Sequence, residues 1–123
     1  MEKKNAIKEK SFQFALAIIQ LYKFLVEEKK EFVLSRQLLR SGTSIGANIR
    51  EANNAESKGD FIHKMGIAQK ECDETLYWIE LLTDSGILKV QDTESIYDKA
   101  NELLKIIRSI ILTAKHNMMN VEK

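Results

Sequence analysis

The chain has 123 residues, 44% of them hydrophobic and 30% charged, with a formal net charge of +1. That length fits one domain able to bury its own core, and the near-neutral charge excludes a strong long-range pull toward nucleic acid or an anionic membrane, so any such binding must come from local patches. The absence of proline and the presence of only five glycines favour long helices over a many-stranded sheet, while the lone Cys72 excludes an internal disulfide framework and suits a reducing compartment.

The hydrophobic period predicts a first helix over about 8–29. Ile7, Ser11, Phe14, Ala15, Ile18, Tyr22 and Leu25 share one face, and Phe12, Leu16, Ile19 and Val26 form a second arc. A charged stretch, Glu27 to Glu31, leads through Phe32 and Val33 to a second helix over 35–55, with Ser35 as its candidate N-cap. On that helix Leu34, Leu38, Gly42, Ile45, Ile49 and Ala52 fall on one arc, and Arg40, Ser44, Asn48 and Glu51 fall beside it. Small residues along a helix seam let a neighbour approach closely, and a polar flank next to the seam needs partners if it is buried.

The third helix is expected over 58–85. Ser57 and Asp60 are placed as an N-terminal cap, and Gly86 is placed for a left-handed stop. Phe61, Met65, Ala68, Cys72, Leu76 and Ile79 line its core face, whereas Ile67, Trp78 and Leu81 lie away from it. The fourth helix, 92–119, begins near Asp92 or Thr93 and carries the stripe Ile96, Ala100, Leu103, Ile107, Ile110 and Ala114. The tail after Met119 is expected to fray. Four such helices joined by short turns make an antiparallel, up-down-up-down four-helix bundle, all-α, in one domain covering 1–123.

Two features point beyond a plain bundle. Phe12, Leu16, Ile67, Trp78 and Leu81 are surplus to a single core stripe and are the expected contacts of a homo-oligomer; the competing explanation is that the bundle buries broad arcs. If helices two and three run antiparallel from their turn, Arg40 falls level with Glu74, Ser44 with Glu71 or Lys70, and Glu51 with Lys64. That predicts a polar ladder fixing helix register.

Catalytic chemistry finds little support. A carboxylate-bridged metal bundle needs repeated Glu-x-x-His pairs; Asp60-Phe61-Ile62-His63 is the nearest match, and His116 has no matching acid. Cys72 sits in the apolar stripe beside Glu71, Asp73 and Glu74, which discourages a thiolate. Ser41, Thr43 and Ser44 have no histidine nearby in sequence. The expectation is a non-enzyme without cofactor, metal or small-molecule substrate. Basic residues are spread: Arg36 and Arg50 on helix two, and Lys105, Arg108 and Lys115 on the outer face of helix four, are the candidate nucleic-acid contacts. The charged N-terminus lacks an apolar signal core, and no apolar run is long enough to span a bilayer, so the expectation is a cytoplasmic protein without membrane association.

The run Ser44-Ile45-Gly46-Ala47-Asn48-Ile49-Arg50-Glu51-Ala52 resembles the Ser-Ile-x-x-Asn-Ile-x-Glu signature of the bacterial four-helix-bundle proteins named after 23S ribosomal RNA intervening sequences. The resemblance extends to Gln37–Ser41, Phe61–Ala68 and Glu74, and Arg40, Ser44, Asn48, Glu51 and Glu74 match the characteristic polar positions. Ala52 stands where many members carry Gly, and Lys70 and Glu71 stand where many carry small residues. The resemblance implies a protomer assembled as a homopentameric ring. It also implies kinship with accessory proteins of diversity-generating retroelements, which bind a reverse transcriptase and nucleic acid through a basic surface. The expected function is a homo-oligomeric scaffold associating with RNA or an RNA-associated protein; the alternative is a protein-binding adaptor with no nucleic-acid role.

Overall fold

The computed structural model describes the backbone of residues 2–122 and the side chains of residues 6–119. The chain is all-α, with helices α1 (Glu2–Glu27), α2 (Leu34–Asn53), α3 (Lys58–Asp84) and α4 (Val90–Glu122). Each helix packs on its neighbours in the chain and α1 closes against α4, while among the described residues the backbones of the diagonal pairs α1–α3 and α2–α4 stay apart. The seam between α2 and α3 is the most extensive and that between α1 and α4 the slightest. Phe14 and Ile18 of α1, Leu38 and Ile45 of α2, Met65 and Ile79 of α3, and Leu103 and Ile107 of α4 are shut off from solvent in one core. Each such side chain contributes roughly 1.5–3 kcal/mol through burial.

The ends of the helices have identifiable causes. The α1 helix reaches back to Glu2 and stops at Glu27, not at 29. Its exit is a tight turn in which Lys30 takes a left-handed conformation (φ 55°) and the Glu31 N–H donates to the Leu25 carbonyl at 2.9 Å. Ser35 is not the N-cap of α2. The helix already includes Leu34, and the Glu31 carboxylate does the capping: it accepts the N–H groups of Val33 (3.2 Å), Leu34 (3.0 Å) and Ser35 (2.7 Å). The Ser35 hydroxyl is buried and donates to the Glu31 carbonyl at 2.8 Å. A carboxylate has lone pairs enough for three orphan donors, which a single hydroxyl lacks.

At the start of α3 the Ser57 hydroxyl accepts the Asp60 N–H at 3.0 Å. Beyond its end Gly86 takes φ 83°, a left-handed conformation that costs glycine little. The α4 helix starts two positions before Asp92 because that residue caps from inside the first turn: its carboxylate accepts the Lys89 N–H at 3.1 Å while its own N–H donates to the Lys89 carbonyl at 2.9 Å. The backbone of α4 stays helical to Glu122, past the expected end at Met119.

Gly42 and Gly46 set the distance between α1 and α2. A β-carbon at Gly42 would come within 2.7 Å of the Ile18 side chain, and one at Gly46 within 3.4 Å of Ser11. Gly66 on α3 has nothing within 4 Å of that position. The same substitution therefore has opposite signs at two sites. Gly66→Ala gains up to about 1 kcal/mol of helix propensity. Gly42→Ala overpacks the seam at roughly 1–3 kcal/mol, which outweighs that gain. Urea unfolding of the two variants measures both; a stabilised Gly42→Ala would show that the seam is loose.

Candidate functional site

The α2–α3 seam gathers most of the charged and hydrogen-bonding groups that the sequence singles out. Arg40 projects from α2 between two carboxylates of α3, donating from Nη1 to Glu71 at 3.2 Å and from Nη2 to Glu74. Farther along, Lys64 Nζ donates to Glu51 Oε1 at 3.0 Å. Glu74 also accepts the indole N–H of Trp78 at 3.2 Å. These ion pairs are half in solvent: the Arg40 side chain is 50% exposed and that of Glu51 58%. Each is therefore worth little taken alone.

Ser44 does not reach α3. Its short hydroxyl donates back to the Arg40 carbonyl at 2.6 Å and reaches neither Glu71, which is held by Arg40, nor Lys70. Asn48 likewise donates along its own helix, to the Ser44 carbonyl at 2.8 Å. Polar side chains of this length satisfy themselves on the preceding turn before they can cross to a neighbouring helix. The crossing bond that the sequence does not reveal lies deeper. Thr75 Oγ1 donates to Ser41 Oγ at 2.9 Å, with both residues sealed from solvent. Ser41 sits one step inside Arg40 on the helical wheel, and that position is the signal for it.

The Glu74 carboxyl is held below the usual carboxylate range by the hydrogen bond from Arg40, which outweighs the opposing effect of desolvation; the Trp78 N–H and the Arg40 charge add to it. At Glu31 desolvation pushes the pKa up, yet the backbone N–H groups of Leu34, Ser35 and Val33 together prevail and lower it. Burial pushes the Cys72 thiol up to about 12, reinforced by the Asp73 charge and opposed by Arg108. Its Sγ lies 3.2 Å from the Ala100 carbonyl of α4, so it serves as a packing residue and a weak donor.

The surplus apolar residues divide into two groups. Phe12 and Leu16 on α1 are 47% and 43% exposed, and Leu81 on α3 is also exposed. Ile67 and Trp78 are half-buried; Trp78 packs on the core and meets Tyr77 edge to face, with ring centroids 5.1 Å apart. The candidate basic contacts are all exposed. Arg36 and Arg50 lie on α2, and Lys105, Arg108 and Lys115 on α4, two helices placed diagonally across the core. One subunit therefore does not gather them into a single patch. Arg108 is 3.9 Å from Asp73.

Between the α2–α3 turn and the last turns of α4 lies an open cavity of about 610 Å³, walled by Ala52, Phe61, Ile110 and Ala114, with no histidine or cysteine in its lining. Among the described residues no group of three His, Cys, Asp or Glu side chains is placed to hold a metal ion. Among the same residues no helix is long and apolar enough to cross a membrane.

The model of the 23S rRNA-intervening sequence protein family matches residues 3–109. The chain belongs to that family. The match takes in the whole α2–α3 seam, including Arg40, Ser44, Asn48, Glu51 and Glu74. Among solved structures, the family member is similar to a protein of unknown function from the S23 ribosomal protein family of Bacteroides thetaiotaomicron. The two are 55% identical, with a TM-score of 0.87, over 89% of this chain and 97% of that one. No curated protein matches.

Two outcomes follow from the site. A carboxylate whose pKa is lower in the folded chain binds fewer protons there than when unfolded. The stability it supplies is complete above the ordinary value of 4.5 and is lost as pH falls through the lower folded value. Trp78 is the chain's one tryptophan and is bonded to Glu74, so its emission should shift on acidification below about pH 4.5, and Glu74→Gln should flatten that step. Emission unchanged down to the point of unfolding would contradict the Glu74–Trp78 contact. Cys72 should stay unreactive toward a thiol reagent in the native protein and react on denaturation; fast labelling of the native form would contradict its burial.

Proposed function

We propose that this family member is a non-enzymatic homo-oligomeric helical scaffold, assembled as a pentamer, that associates with RNA or with a nucleic-acid-binding protein such as a reverse transcriptase. The carrying observation is that Phe12 and Leu16, one turn apart on α1, stand almost half exposed, while Leu81 on α3 is 37% exposed. Left in water, such side chains forgo much of the roughly 1.5–3 kcal/mol that burial offers, and contiguous apolar surface on a soluble chain marks a contact site.

The protomer in this proposal is an antiparallel up-down-up-down bundle. In support, the α3 partner moves back from Glu74 to Lys64 as the α2 residue advances from Arg40 to Glu51. The Arg40–Glu71–Glu74 cluster and the Glu51–Lys64 pair act as register marks along that seam, outside the buried Thr75–Ser41 bond. Ile67 and Trp78, partly covered already, lie at the edge of the subunit contact. Phosphate contacts would come from Arg36 and Arg50 of some subunits and Lys105, Arg108 and Lys115 of others, since repetition in a ring multiplies a modest patch. The second reading, a protein-binding adaptor without a nucleic-acid role, is favoured by the net charge of only +1.

Light scattering on the purified protein tests the assembly. The expected mass is near five times 14.2 kDa, and a single-subunit mass at micromolar concentration would end the proposal. Titration with RNA at low and high salt tests the partner: affinity should fall as salt rises, because counterions are released from phosphate. An assembled protein that binds no RNA at low salt would leave the adaptor reading in its place.

A further inference from the structure

We propose that the open cavity at the α2–α3 turn holds one unstacked nucleotide, with adenine the base it fits best. This gives the RNA reading above a binding site and rests on it for the source of the nucleotide. The cavity has a volume of about 610 Å³, inside the roughly 300–1,000 Å³ range of small-molecule sites. Part of its wall is apolar. Ala52 is 1% exposed and Ile110 7%, and the half-buried ring of Phe61 lies with them. Alanine at positions 52, 55 and 114 leaves the space open between the end of α2 and the last turns of α4.

The polar part of the wall is unlike polar side chains elsewhere in the chain. Asn48, Asn54 and Asn101 each donate to the carbonyl four residues back, at 2.8, 3.0 and 3.3 Å. Thr43, Thr75, Thr83 and Thr93 also reach the carbonyl four residues back. Asn53, Thr113 and Asn117, which line the cavity, do not. Among the described residues their side chains have no partner, and neither has the Lys58 ammonium on the same rim. Short polar side chains ordinarily satisfy themselves on the preceding turn. These are exposed, so water serves them until a ligand with matching groups displaces it.

The chemistry of the wall selects the occupant. An acyl chain would strip water from the two carboxamides and return no hydrogen bond, which is a net loss. A bare anion would leave Phe61 and the alanines unused. A nucleotide engages both parts. Its base is planar, uncharged and rich in donors and acceptors, and unstacked bases are held by an aromatic side chain together with hydrogen bonds to their edges. A carboxamide carries a donor and an acceptor side by side, which matches the amino group and ring nitrogen of adenine. Lys58 supplies the cation for the phosphate. Arg50, two positions before Ala52, and Lys115, directly after Ala114, add positive charge from α2 and α4. Glu56, the one carboxylate in the lining, is an acceptor for a ribose hydroxyl.

Calorimetric titration of the full chain tests this, with adenosine monophosphate and a single-stranded oligoadenylate as probes. Asn53→Ala and Asn117→Ala have no bond within the chain to lose, so the melting temperature should hold while affinity for adenosine monophosphate falls about tenfold in each. If either variant melts lower, Thr113→Val, which keeps the shape and removes only the hydroxyl, should weaken binding severalfold in its place. Displacement of adenosine monophosphate by the oligoadenylate would show that RNA delivers the nucleotide. Adenosine monophosphate bound in the parent and lost in the variants, with no RNA bound, would make a free nucleotide the ligand and end the RNA reading alone. Equal affinity of parent and variants for adenosine monophosphate, or ribose phosphate binding as tightly, would overturn the base pocket. RNA bound equally by parent and variants, with no mononucleotide bound, would overturn it and leave the RNA reading standing. Neither probe bound by the parent would overturn both.

Discussion

At Gly42 a β-carbon would come within 2.7 Å of the Ile18 side chain, so α1 lies against nearly bare helix backbone there. One position earlier, the Ser41 hydroxyl accepts the buried bond from Thr75 of α3. These two adjacent residues place α2 between its neighbours, close to α1 through the absence of a side chain and tied to α3 through a polar one. A larger residue at Gly42 would push α1 outward, and loss of the Thr75–Ser41 bond would leave each hydroxyl only a carbonyl on its own helix. Neither neighbour can shift without the other side of α2 registering it, because packed interiors transmit displacement instead of absorbing it.

With α2 fixed in this way, the outer surfaces of the bundle have defined positions. The carboxylates of Glu71 and Glu74 meet Arg40, and Lys64 meets Glu51, on the solvent side of the same seam. Exposed pairs like these contribute little net stability, yet each wrong register would leave unlike partners apart and like charges together. The tight α1–α2 seam has a further consequence. Gly46 brings Ser11 of α1 close, leaving Phe12 and Leu16 facing outward beside α2 and not under it. The exposure of Phe12 and Leu16 thus accompanies the close approach that holds the subunit together.

Much of the fold is legible in the sequence because the helices obey a simple period. The stripes Leu38–Ile45–Ile49 and Met65–Cys72–Ile79 are both buried, and Gly86 stops α3 in a left-handed conformation. The misjudged features are those where chemistry is not periodic. Glu31 caps α2 from outside the helix, a role that a Ser-based cap rule hands to Ser35. Lys30 adopts a positive φ where glycine would be expected, so nothing in its identity marks the end of α1. The Arg40–Glu74 and Glu51–Lys64 contacts follow from counting along two helices, whereas Ser44 fails because a side chain that short satisfies itself one turn back. Ser41 and Thr75 are recognisable as partners only once the two helices are docked.

The central claim is that the folded subunit is incomplete and gains stability from copies of itself. Mass action makes that directly measurable: anything that binds the native chain and not the unfolded one raises the melting temperature as its concentration rises. Thermal unfolding should therefore be followed across a wide dilution series of the pure protein. A melting temperature that climbs steadily with protein concentration is the predicted result. A melting temperature independent of concentration would mean that Phe12, Leu16 and Leu81 face water in the functional molecule, which the claim does not survive.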